Sequence, residues 1–150
     1  MTTSTITITS ADGGEFEAYL SVPESGKGPG LVLLQEIFGI NAYMRDMADY
    51  FAEEGYTVIV PDLFWRLQPG LDLGYGEQDF QTAFGYYQKF DVDQSIKDVQ
   101  DTINHLKTLP QQVGKVGTLG YCLGGKLAFL TAARTDIDCA ISYYGVGIDE

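Results

Sequence analysis

The stretch KVGTLGYCLGGKLAFL, residues 115–130, leaves this chain few folds to choose from. An apolar run climbs to Gly120, a helical pattern starts at Gly124, and Cys122 stands between the two glycines. A strand that becomes a helix over so little chain must turn sharply. Glycine at either side removes the Cβ atoms that would hold strand and helix apart. The middle residue is forced into strained backbone geometry, with its side chain held out of the turn. Gly-x-Cys-x-Gly in a strand–turn–helix context is the pattern of a nucleophile elbow, with sulfur in place of the serine oxygen.

The rest of the chain supplies the surroundings such an elbow needs. Residues 5–9 and 16–21 flank the turn sequence ADGG and predict an opening β-hairpin. Residues 31–34 are a continuous apolar run, as in a strand buried on both faces, and residues 56–60, 113–119 and 139–144 read as further buried strands. Between them lie helical patterns. Met44, Met47, Ala48 and Phe51 share one face, with Asn41 as N-cap and Gly55 as stop. Ile96, Val99, Ile103 and Leu106 share another, in a helix over 95–109 that Pro110 follows. A third helix spans 124–134. Strands alternating with helices predict βαβ units and a mostly parallel sheet with helices on both faces. Phe80, Phe84 and Tyr87 fall on a helical stripe within an otherwise Gly-broken region. They either cover the sheet or wall a pocket.

Composition narrows the function. The net charge of -12 repels phosphate backbones and anionic lipid heads, which argues against nucleic acid and membrane partners. Hydrophobic residues make up 45% of 150, enough for one packed domain. The start MTTSTITITS shows no basic segment followed by an apolar one, so no signal peptide is read there. Two cysteines make no disulfide framework, and a cytoplasmic protein with free thiols is the simplest reading. No metal-ligand spacing and no cofactor motif appears.

At the elbow, Cys122 lies at the carboxyl edge of the sheet, where open α/β sheets place their sites. It also opens a helix, whose positive end favours a thiolate. The Leu123 N–H is then free to donate to an oxyanion. Two other readings remain open. Cys122 is a small buried residue, or the turn binds phosphate. Indeed GYCLGGK fits the start of a P-loop, although Leu127 stands where that motif needs Ser or Thr. Cys139 lacks the context and reads as core. In QEIFGIN, after the first parallel strand, Glu36 ends an apolar run where a carboxylate needs a partner. It is an exposed turn residue, or it stands beside the thiol, with the Ile37 N–H facing the oxyanion.

Three segments together, QEIFGINAYMRDMADYFAEEGYTVIVPDLFWR, GKVGTLGYCLGGKLAFL and YYGVG, resemble the dienelactone hydrolase family of α/β hydrolases. The resemblance implies a Cys-His-Asp triad with Cys122 as nucleophile and Glu36 as the group that primes it. It implies oxyanion donors at Leu123 and Ile37, and a small ester or lactone as substrate. It also shows a departure. Dienelactone hydrolases carry an arginine and a tyrosine in the helix before KFD that help hold a substrate carboxylate. Phe80 and Phe84 take those places here, and with Phe38 they suit a more apolar ester or lactone.

The triad partners are harder to find. The order in such folds is nucleophile, acid, histidine. The single histidine, His105, precedes the elbow and lies opposite the apolar face of its helix, so it is expected to point to solvent. Asp136 and Asp138 precede the last strand, the wrong end of a parallel sheet, and Asp149 follows it one strand early for the family pattern. The expectation is one incomplete α/β-hydrolase domain over 1–150, stopping before the last two strands, with the Asp and His supplied by a C-terminal segment or another copy. The competing expectation is a catalytically inactive binding or assembly module.

Overall fold

The computed structural model describes residues Met1–Glu150. Six strands form one sheet in the order β1-β2-β4-β3-β5-β6. The predicted hairpin is β1 (Thr2–Thr9) and β2 (Glu15–Val22), and β2 runs antiparallel to β4 (Thr57–Pro61). The remaining pairs are all parallel, joining β4 to β3 (Gly28–Leu34), β3 to β5 (Gln112–Tyr121), and β5 to β6 (Cys139–Tyr143). Four helices connect them: α1 (Ala42–Glu53), α2 (Glu77–Tyr87), α3 (Val92–Thr108) and α4 (Leu123–Arg134).

The continuous apolar runs are explained by two cores, one on each face. Successive side chains of a strand point to opposite faces. Leu31, Leu33, Val58 and Val60 pack on Met44, Ala48 and Ala52 of α1. Val32, Leu34 and Ile59 point the other way, into a core shared with Ile96, Val99, Ile103 and Leu106 of α3 and Leu127 and Ala128 of α4. A run with no polar member is what such a two-sided strand requires.

Helix ends follow local chemistry. The Asn41 side chain accepts from the Met44 N–H at 3.1 Å, and Gly55, at φ +103°, lets the chain leave α1. α3 starts earlier than its apolar stripe, because the Asp91 carboxylate accepts from the Gln94 N–H and sets the first turn. α2 is helical as predicted, yet of its residues only Ala83 is buried.

Two expectations are corrected at the sheet's edge. β6 is not a buried strand, and Cys139 is not core. Every β6 residue except the half-buried Ala140 is exposed, Cys139 included. The reason is position: β6 pairs with β5 on one side and with nothing on the other. His105 is half-buried along an open groove with Thr7, Ile8, Thr9 and Asp101.

Candidate active site

The elbow is a close three-way packing of backbone. A Cβ added to Gly124 would collide with the Leu34 and Gln35 carbonyls at the end of β3, and one added to Gly120 would collide with Gly124 itself. Cys122, between them, adopts φ 56° and ψ -113°. Positive φ is costly for a residue with a Cβ and persists only where neighbours over-determine it. Here they do. The Cys122 N–H donates to Tyr143 O at 3.0 Å. Its carbonyl accepts from Gly125, Lys126 and Val146 N–H at 3.0, 3.2 and 3.3 Å.

The thiol's surroundings pull in two directions. Burial pushes the Cys122 thiol above its ordinary 9.0, the Leu123 amide draws it down, and the Glu36 charge raises it again. The helix N-terminus does favour the thiolate, as the sequence suggests, but desolvation outweighs it.

Glu36 is half-buried on the loop after β3. Its Oε1 accepts from the Tyr75 hydroxyl at 2.6 Å. Its charge is felt at Cys122, Tyr75, Tyr121 and Tyr144. Burial and the Glu36 contact push the Tyr75 phenol up to about 12. Ile37, the next residue, is buried, and its N–H donates to no acceptor in the protein. Leu123 opens α4, so its N–H has no acceptor within the helix.

Beside the sulfur lies a cleft of about 200 Å³ walled by Ile37, Phe80, Phe84, Tyr87, Cys122 and Val146. Phe80 and Phe84 stack at 6.1 Å and are 50% and 43% exposed, so they face the cleft more than the sheet. Phe38 is not a wall. It is buried behind Phe80, 6.5 Å away ring to ring, and meets the Tyr75 ring edge-on at 4.8 Å.

The structure thus brings Cys122, Ile37, Phe80 and Phe84 together around one cleft, with Glu36 coupled to the thiol through its charge. It brings in no histidine or aspartate: none lines the cleft. Asp136 accepts from Lys107 at 2.8 Å, Asp138 accepts from the Val116 N–H at 2.8 Å, and Asp149 is exposed. Sequence reasoning missed Tyr75, whose only signal was an aromatic ring in a glycine-rich loop. No helix of the molecule is long and apolar enough to cross a membrane.

Comparison with known proteins bears on the family and the fold. The model of the Dienelactone hydrolase family matches residues 16–150. A carboxymethylenebutenolidase from Pseudomonas putida is 40% identical over 100% of this chain and 64% of its own length. One from Cupriavidus pinatubonensis is 38% identical, over 97% of this chain and 62% of its own. A crystal structure from Klebsiella pneumoniae, named "Putative Dienelactone Hydrolase", superposes with a TM-score of 0.77 at 26% identity, covering 97% of this chain and 61% of that one. The chain therefore spans a little under two thirds of these relatives' length. On the family match, the six-stranded sheet and the elbow in its place, this chain belongs to the dienelactone hydrolase family.

Proposed function

We propose that the protein is part of a hydrolase that opens a small, apolar ester or lactone through Cys122. The observation that carries this reading is the positive-φ cysteine facing an apolar cleft, with the unengaged Ile37 amide and the Leu123 amide, aimed at the sulfur, beside it. The Cys122 S–H passes its proton to Glu36, an anion that disfavours a free resting thiolate yet stands ready to accept that proton. The sulfur forms a bond to the carbonyl carbon, and the C=O π pair moves onto oxygen. The Ile37 and Leu123 N–H groups are the donors for that oxyanion. Collapse breaks the acyl C–O bond, the leaving alkoxide takes the proton that Glu36 had accepted, and the acyl group stays on Cys122 as a thioester. A histidine held by an aspartate, both from outside Met1–Glu150, activates the water that releases the acid. The exposed Phe129, Ile141 and Tyr143 beside the β6 edge support docking there of the segment or copy that supplies them. Two free thiols suit the cytoplasm.

The test is hydrolysis of an aryl ester and a simple lactone by the full-length protein and its Cys122→Ala variant. The expected loss is at least about 10³-fold in kcat/KM, with an acyl-cysteine adduct trapped on the parent. Hydrolysis surviving in Cys122→Ala would remove the mechanism.

A further inference from the structure

Tyr75 stands outside the motifs that mark the site, yet its hydroxyl reaches Glu36 Oε1 at 2.6 Å. The segment that carries it is clasped to the Glu36 loop at several points. The Leu73 N–H donates to Phe38 O at 3.0 Å, and Asn41 Nδ2 donates to Leu73 O at 3.0 Å. Arg45 Nη1 donates to Ile40 O at 2.7 Å and to Asp72 Oδ2 at 2.9 Å, tying both loops to α1. Gly39 and Asp72 form an isolated antiparallel bridge, and a Cβ on Gly39 would collide with the Leu71 carbonyl. On the far side, the Gly74 N–H donates to Asp79 Oδ2 at the start of α2. A loop of this length, otherwise free to move, is thus fixed on both sides of Tyr75. Its ring is pinned edge-on by Phe38 and Tyr43.

From this geometry we infer that Tyr75 is a positioning residue: it holds one oxygen of the Glu36 carboxylate and thereby sets how strongly Glu36 acts on the Cys122 thiol. The inference rests on the Glu36–Cys122 reading above. A phenol donating to a carboxylate takes up part of its charge and fixes its rotation. With that donor gone, the full charge of Glu36 bears on the thiol and holds its proton more tightly. The other ionisable groups on which the Glu36 charge bears are Tyr121 on β5 and Tyr144 after β6. Both are phenols that burial pushes above their ordinary 10.0, so neither titrates near neutral pH to mimic the effect.

The experiment is the pH profile of Cys122 alkylation by iodoacetamide, read by peptide mass so that the exposed Cys139 is counted separately. It uses the chain Met1–Glu150, its Tyr75→Phe variant, which keeps the ring, and Glu36→Gln. The expected result is an upward move of the midpoint in Tyr75→Phe by roughly 0.5–1 unit. That slows alkylation at a pH below the midpoint by about threefold to tenfold. Glu36→Gln moves the midpoint down. If Glu36→Gln moves down while Tyr75→Phe stays at the parent value or falls, the role of Tyr75 is overturned and the Glu36 reading stands. If Glu36→Gln leaves the midpoint unmoved, the coupling of Glu36 to the thiol is wrong, and the role of Tyr75 falls with it.

Discussion

Gly120 and Gly124 touch backbone to backbone across the elbow, and neither can accept a Cβ without moving its neighbour. The neighbours are main-chain carbonyls of β3 and α4, which have no rotamer to yield. We expect Gly120→Ala and Gly124→Ala each to destabilise the fold by about 3 kcal/mol, the upper end for overpacking. Urea unfolding measures this directly. A loss under about 0.5 kcal/mol at both sites would show that strand and helix are less closely joined than described.

The aromatic pair on α2 makes a prediction about specificity. Phe80 and Phe84 present only hydrocarbon to the cleft. Phe80→Arg in the full-length protein is expected to shift the kcat/KM ratio toward a carboxylate-bearing lactone by about tenfold or more over an uncharged one. Because Phe80 is half exposed, the guanidinium has water to reach while it waits for a substrate. An unchanged ratio would place the acyl group elsewhere.

Asp98 anchors a polar cluster remote from the sulfur. Its side chain is 1% exposed, and it accepts from Trp65 Nε1 at 3.0 Å and from Arg66 Nε and Nη2 at 3.1 and 2.8 Å. Ser10 Oγ donates to it at 3.3 Å. The cluster ties the β1–β2 turn and the loop after β4 to α3. Asp98→Ala leaves the Arg66 guanidinium short of its innermost partner and is expected to cost about 3 kcal/mol in thermal or urea unfolding. Thiol alkylation at Cys122 serves as the local control and should keep its pH midpoint.

Acid exposes the outer end of the same cluster. The hydrogen bond to Arg66 Nη1, at 2.6 Å, holds the Asp12 carboxyl down at about 2, against 3.8 for the free group. A depressed carboxylate contributes stability above its unfolded value and loses it as pH falls through the folded one. Stability should therefore drop as pH falls from 3.8 to about 2, and Asp12→Asn should flatten that limb. Parallel acid titrations of the two proteins by circular dichroism decide it.

Much of the frame was legible because burial on two faces leaves a plain mark. Leu31–Val32–Leu33–Leu34 could be read as a central strand without knowing its neighbours, and Asn41 as a cap without knowing its helix's partner. The edge was legible only in part. Residues 139–144 have the composition of a buried strand and carry no mark of the exposure of β6, although the expected loss of the last two strands already leaves its outer flank open. Long-range polar contacts left no mark either. Tyr75 meets a carboxylate 39 positions earlier, and Asp98 meets groups 32 to 88 positions away. Periodicity reports what a residue's own element needs, and such contacts are set by how elements meet.

The hydrogen bonds that hold Cys122 in its unusual conformation run to Tyr143 and Val146, the end of β6 and the turn beyond it. The elbow cysteine is therefore strung to the last strand of this chain by its own main chain. If Cys122 acts as proposed, substitutions along β6, in residues that never meet a substrate, will register as altered chemistry. A survey of variants scored by activity alone would then map that strand as though it were part of the pocket.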